Sequence, residues 1–312
     1  MESPLAEPWQ KFVAEFGETP RVSGSVEDTK QQWGRLMGKL MGMYSFPPPD
    51  ETVATENVDL GDFSVRTYLP EGATGNEPLG IYFHGGGFVM GSVDQEDGFC
   101  RVLSRHGRMR VVSVEYRLAP EFKFPRALDD GEHAAIWALN KYSSNGVALM
   151  GTSAGGNLAF GVALRLVERG MADSVKGVVA LAPMTVHPAA VPDGKRGRYT
   201  AYDENDKYTI NSKPAMTAWL DAYGSHPRHT YLSVLLHPRL DTLRRVYITE
   251  CGADTLRDDA RLMKESLEEA GVSVMYDAYP GYPHYSWLFP SKHLDQHRKQ
   301  FFAGMFKGIG PE

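Results

Sequence analysis

Two glycine-rich stretches and two later side chains carry the residue types from which an acyl-transfer site is built. Val147-Ala148-Leu149-Met150 runs into Gly151-Thr152-Ser153-Ala154-Gly155, and an apolar, alanine-containing helix pattern follows. A serine at the tip of a sharp strand-to-helix turn is a nucleophile elbow. The flanking glycines fit such a turn, because a side chain at either would collide with the neighbouring strand or helix. Upstream, His84-Gly85-Gly86-Gly87-Phe88 follows directly on the apolar run Leu79 to Phe83. Consecutive glycines let bare N–H groups point into a cavity, and together with the amide of Ala154 such donors form an oxyanion hole. The loop lacks the Gly-Lys-Ser/Thr ending and the dinucleotide spacing of a phosphate cradle. His84 precedes the hole and is expected to pin the loop by hydrogen bonding rather than to act as a base.

A serine hydroxyl is too weak an acid to attack an ester unaided. It needs a base, and the base needs a carboxylate to orient it. His284 lies in Tyr279 to Tyr285, a loop directly after the last apolar strand pattern. Of the other histidines after Ser153, His187 and His237 fall in or beside an insertion, and His293 and His297 sit on a terminal helix pattern. Asp254 follows the strand pattern Val246 to Glu250, whereas Asp258 and Asp259 read as first-turn carboxylates that complement a helix dipole. Ser153, Asp254 and His284 therefore leave the same edge of one sheet, in the chain order serine, acid, histidine.

The elements that must position these groups follow from periodicity. Trp33, Leu36, Met37, Leu40, Met41 and Tyr44 are spaced three and four apart, one face of a helix that Pro47-Pro48-Pro49 ends. The methionines on that face read as packing surface or as an adaptable wall over a pocket. Short strand patterns at 56–60 and 63–69 read as a hairpin. Strands at 79–83, 110–115, 147–150, 175–182, 245–250 and 272–279 then alternate with helix patterns. Such alternation predicts an α/β fold, a mostly parallel sheet with helices on both faces. Between Pro183 and Leu232 it is interrupted by an insertion holding a short helix around 215–223 and the cluster Lys195-Arg196-Gly197-Arg198, which reads as a solvated loop. The expected division is an N-terminal helical cap segment at 1–50, a core at 51–182 and 233–312, and a cap insertion at 183–232, set where ligands bind in open α/β sheets.

The 312 residues are 42% hydrophobic and 23% charged, enough to bury a sizeable core. A formal net charge of −6 and the lack of a long basic run speak against a nucleic-acid partner. No window holds about 18 continuous apolar residues, and the acidic start shows no signal core, so the expectation is a cytoplasmic protein without a membrane span. Cys100 and Cys251 are too few for a disulfide framework and read as small buried side chains. The chemistry asks for no metal and no cofactor. A homodimer is left open.

Taken in order, these motifs resemble the hormone-sensitive-lipase-like branch of the α/β-hydrolases, the HGGG carboxylesterases. The resemblance runs from about Leu79 to Trp287. It rests on His84 to Gly87, Glu115 to Glu121, Phe124-Pro125, Gly151 to Asn157, Leu232 to Leu236, Asp254 to Asp259 and Gly281 to His284. It implies an α/β-hydrolase fold with a helical cap and a serine esterase acting through an acyl-serine intermediate on a small or medium, possibly aromatic, ester. The implied triad is Ser153, Asp254 and His284, with an oxyanion hole from Gly86, Gly87 and Ala154. Arg117 is expected to pair with a carboxylate. Two positions depart from the family pattern: Tyr285-Ser286-Trp287 stands where Gly-Phe is common, and Thr255 replaces a proline. The first is expected to reshape the acyl or alcohol pocket. Phe88, Trp33, Met184, Trp219 and Trp287 are the side chains expected to suit a bulky aromatic substrate. The same triad would also serve a lactonase, a thioesterase, an acyltransferase or a cyclisation-assisting enzyme of specialised metabolism. From another class, a non-catalytic small-ligand receptor on a hydrolase scaffold is the rival, against which the complete triad weighs.

Overall fold

The structure, a computed structural model, describes residues 4–309. Helices α1 (Glu7–Phe16) and α2 (Val26–Met43) come first. The Ser25 hydroxyl accepts the Asp28 amide at 3.2 Å and the Asp28 carboxylate accepts the Ser25 amide at 3.0 Å, so the first turn of α2 is capped reciprocally. The hairpin β1 (Val53–Asp59) and β2 (Ser64–Pro70) follows. Then come β3 (Leu79–Phe83), α3 (Asp97–Gly107), β4 (Arg110–Glu115), α4 (Arg126–Lys141), β5 (Val147–Thr152), α5 (Ala154–Glu168) and β6 (Val175–Leu181). After β6 the alternation breaks for α6 (Asp193–Arg196), α7 (Ala201–Glu204) and α8 (Lys213–Tyr223). It resumes with β7 (Arg245–Cys251), α9 (Arg257–Glu269), β8 (Ser273–Tyr279) and α10 (Asp295–Ile309).

The strands form one sheet in the order β1-β2-β4-β3-β5-β6-β7-β8. The β1–β2 and β2–β4 pairs are antiparallel and all others parallel. Every residue of β3 is buried, as a strand covered on both faces requires, which is why its sequence is a continuous apolar run. Almost all of α5 is buried too, and its sequence is apolar around most of the circumference, with Arg165 and Glu168 in its last turn. The chain steps from β3 outward to β4 and then crosses back to β5, so the loops after β3 and β5 diverge at a switch point. A crevice opens there, at the carboxyl ends of the strands.

Arg117, in the loop after β4, fixes that loop to α4. Its Nη2 and Nε donate to the two oxygens of Asp130 at 2.6 and 3.0 Å, and its Nη1 reaches Asp62 at 3.0 Å. The Asp130 side chain is 2% exposed and that of Asp62 is 77% exposed. Replacing Arg117 by methionine is expected to lower unfolding free energy by about 3–5 kcal/mol, because it strands a buried carboxylate. Asp62→Ala is expected to cost less than about 1 kcal/mol. Urea denaturation of the two variants checks the contrast.

The segment before β1 and the insertion after β6 are joined to one another. The Val22 amide donates to the Ile210 carbonyl at 2.9 Å, the Ser212 hydroxyl to the Val22 carbonyl at 2.6 Å, and Trp219 Nε1 to Thr29 Oγ1 at 3.0 Å. The cations of the 195–198 cluster are paired rather than free: Lys195 reaches Ser266 and Arg198 reaches Glu265 on α9. Among the described residues no helix is long and apolar enough to cross a membrane.

Candidate active site

Ser153 stands between β5 and α5 with φ 58° and ψ −118°. A non-glycine residue in that region costs about 1–3 kcal/mol and persists only where its surroundings impose it. They do so through the backbone: the Ser153 amide donates to Leu181 at 2.8 Å, and its carbonyl accepts from Met184 at 3.2 Å. The turn also brings α5 against β3. A Cβ on Gly155 would lie 2.0 Å from the Phe83 carbonyl oxygen, so only glycine fits. The Ser153 side chain is buried, with its surface on a cavity.

The glycine loop follows β3 directly. The His84 ring stacks on Tyr116 at 4.1 Å and donates from Nδ1 to the Gly85 carbonyl at 2.8 Å, while the Tyr116 hydroxyl donates to the His84 carbonyl at 2.8 Å. Burial pushes the His84 pKa down to about 4, so the ring is neutral near pH 7 and serves as a pin. Gly86 has φ 119°, and a Cβ there would meet the Met90 carbonyl oxygen at 2.1 Å. Among the described residues, no backbone acceptor takes the amides of Gly86 or Gly87. The amide of Ala154, at the first turn of α5, has no intrahelical acceptor either.

Asp254 leaves the end of β7 and His284 the loop after β8, both almost fully buried. Asp254 Oδ2 lies 2.5 Å from His284 Nδ1, and Oδ1 accepts from the Leu256 amide and from Asn211 Nδ2, each at 2.9 Å. With Nδ1 committed to the carboxylate, Nε2 is the nitrogen left for a reacting partner. No hydrogen bond joins Ser153 to His284 among the described residues, but both side chains line the same cavity, together with Gly86 and Gly87. Hydrogen bonds at such sites commonly tighten only when substrate binds.

Residues of the insertion, which motif spacing does not flag, hold this arrangement in place. The His284 amide donates to Thr209 Oγ1 at 3.2 Å, Thr209 donates to Asn211 Oδ1 at 2.6 Å, and Asn205 Nδ2 donates to the Asp254 carbonyl at 2.9 Å. Sequence reasoning also passes over Glu96, and it marks Tyr285 only as a departure from the family pattern; their side chains hydrogen-bond beneath the glycine loop. No local pattern announces these contacts, since all but the Thr209–Asn211 bond join residues far apart in the chain.

The cavity has a volume of about 420 Å³. Trp33, Met37, Met41, Phe46, Trp219 and Phe289 supply much of its apolar wall. Three of the five expected pocket residues lie elsewhere. The Phe88 ring turns away and stacks on Tyr223 at 4.0 Å. Met184 is buried beside Asn157, whose Nδ2 approaches its sulfur at 3.6 Å. Trp287 stacks on Phe301 of α10 at 4.1 Å. All three are core packing, and Trp33 and Trp219 alone of that set face the cavity. Among the described residues there is no group of three His, Cys, Asp or Glu side chains able to hold a metal.

Comparison with known proteins places the chain in a family. Residues 80–288 match the α/β-hydrolase-fold family. The chain is 56% identical over 310 residues to a versiconal hemiacetal acetate esterase of Aspergillus parasiticus, covering 99% of each protein. It is 50% identical over 281 residues to a versiconal hemiacetal acetate esterase of Emericella nidulans, covering 89% of this chain and 98% of that one. The crystal structure of vibralactone cyclase matches with a TM-score of 0.85 over 100% of this chain and 98% of its own, at 23% identity, a likeness of fold. The chain belongs to the α/β-hydrolase fold family. Within that family it is a carboxylic ester hydrolase, as its full-length kinship to esterases shows.

Proposed function

We propose that Ser153, His284 and Asp254 hydrolyse the acetate ester of a bulky, largely apolar alcohol. The observation that carries this reading is that the serine, the imidazole and the glycine loop line one cavity whose remaining wall is mostly aromatic and aliphatic. The two relatives named above, versiconal hemiacetal acetate esterases, support acetate as the acyl group. The segments 1–50 and 183–232 act as the cap over a core at 51–182 and 233–312. Val22, Trp33, Ile210 and Trp219 of those segments contribute to the cavity.

In the reaction, Ser153 Oγ bonds to the ester carbonyl carbon as its proton passes to His284 Nε2. The carbonyl π pair moves onto oxygen, where the amides of Gly86, Gly87 and Ala154 receive it. Each such donor is worth about 3 kcal/mol at the transition state. Collapse expels the alkoxide, which takes the proton from Nε2. Water then attacks the acetyl-serine with the same nitrogen as base, releasing acetate and restoring the hydroxyl. Asp254 holds Nδ1 protonated throughout and offsets the positive charge of the imidazolium.

A panel of esters tests the substrate class. Acetates of polycyclic aromatic alcohols are expected to exceed ethyl acetate in kcat/KM by at least about a hundredfold, since burying each large apolar group contributes about 1.5–3 kcal/mol. Trp33→Ala is expected to raise KM for the aromatic acetate about tenfold with little change in kcat, the mark of lost ground-state contact. Equal rates for the aromatic acetate and ethyl acetate would contradict the assignment.

A further inference from the structure

Beneath the glycine loop lies a buried carboxyl that none of the steps above uses. Glu96, just before α3, is buried with an edge on the cavity. Its Oε1 accepts both the Gly85 amide and the Tyr285 hydroxyl, each at 3.0 Å. Its Oε2 accepts the Tyr82 hydroxyl, which also shares a hydrogen bond of 2.9 Å with Thr152 Oγ1. These partners belong to β3, the glycine loop, the end of β5 one residue before Ser153, and the loop that carries His284. One carboxyl therefore holds the glycine loop and the His284 loop directly, and reaches the end of β5 only through the Tyr82 hydroxyl.

Tyr285 follows His284 immediately and has φ 60°, a left-handed state that a bulky residue keeps only when its surroundings dictate it. Its hydroxyl sits so close to Gly85 that a Cβ there would lie 1.6 Å from it. Burial raises the pKa of the Glu96 carboxyl, and the hydrogen bonds from Tyr82, Gly85 and Tyr285 oppose that rise. Fully partnered buried networks of this kind rigidify what they join, whereas a half-satisfied one is costly.

We propose that Glu96 is a positioning residue for ester hydrolysis: its carboxyl clamps the glycine loop to the His284 loop, so that the oxyanion amides and the imidazole keep one mutual geometry. Fixing the Gly85 amide on Oε1 orients the backbone leading into the amides of Gly86 and Gly87. Fixing the Tyr285 hydroxyl on the same oxygen sets the backbone that leaves His284. A misplacement of about 1 Å in such a constellation costs on the order of a hundredfold in rate. The clamp acts on the reacting groups and not on the apolar wall, so its loss falls on kcat. The proposal rests on the reading of Ser153, Asp254 and His284 as the hydrolytic residues.

The test is kcat, KM and Tm on p-nitrophenyl acetate for Glu96→Ala, Glu96→Gln, Tyr285→Phe and Ser153→Ala. Glu96→Ala is expected to lower kcat about a hundredfold with KM within about twofold. Glu96→Gln keeps a carbonyl for Gly85 and Tyr285 and offers its NH₂ to the Tyr82 oxygen, so it is expected to restore kcat to within about fivefold of the parent. Tyr285→Phe, which deletes one hydroxyl, is expected to lower kcat about tenfold. A folded Glu96→Ala protein with kcat within about threefold of the parent, or a loss carried by KM alone, overturns the clamp. Should Glu96→Ala fail to fold, Tyr285→Phe decides: unchanged kcat overturns the proposal, and a selective fall in kcat supports it. An inactive Ser153→Ala beside unimpaired Glu96 and Tyr285 variants refutes the clamp and leaves the hydrolytic trio standing. An active Ser153→Ala refutes the trio itself.

Discussion

Ser153→Ala is expected to lower kcat on p-nitrophenyl acetate by about a millionfold, the scale on which removal of a serine nucleophile acts in other hydrolases. The loss is chemical and not structural. No hydrogen bond ties the Ser153 side chain to the described residues, and the turn is held by its backbone amide and carbonyl. Alanine suits the same φ and ψ about as well as serine, so Tm is expected to stay within a few degrees. What remains of the activity comes from the oxyanion amides and from binding. Retention of more than about a tenth of the parent rate in a folded Ser153→Ala protein would exclude this serine as nucleophile.

Asp254→Asn carries the second largest expected effect, a fall in kcat of about ten-thousandfold. The direction follows from what surrounds the carboxylate. Oδ1 receives two donors, the Leu256 amide and Asn211 Nδ2, so an asparagine in this place keeps its carbonyl oxygen there. Its NH₂ then occupies the position of Oδ2 and faces His284 Nδ1. Two donors cannot share one hydrogen bond, so the imidazole is driven to the tautomer protonated on Nε2, which cannot take the proton of Ser153. The buried network stays satisfied, so stability is expected to change far less than rate. A loss of less than about tenfold would mean that Asp254 does not set the tautomer.

The inner strands of the sheet were legible in the sequence because they are short apolar runs bounded by turn residues, and α2 because its stripe repeats every three to four positions; β1, mostly polar and exposed, begins at Val53, three residues before its sequence pattern. The four-residue helices α6 and α7 span about one turn each, too short for a period to show. Ser153 and the glycine loop could be found because an elbow and an oxyanion loop demand particular residues at particular spacing. Asn211, Thr209, Glu96 and Tyr285 demand none: they reach the site by contacts across 43, 75 and 189 positions of chain. The pocket aromatics divide for the same reason. Trp33 and Trp287 are the same residue type, and the indole of Trp287 lies against Tyr285 and Phe301 of α10 rather than on the cavity. Residue type announces that an aromatic will be buried, while tertiary packing decides against what.

The most direct test of the central claim is intact-mass and peptide analysis after treatment with a serine-reactive fluorophosphonate. The parent protein is expected to take up one phosphonyl group, mapped to the peptide containing Ser153, in step with its loss of esterase activity. Ser153→Ala is expected to take up none. Inactivation with the label on another residue, or full labelling of the Ser153→Ala protein, would show that the catalytic nucleophile lies elsewhere.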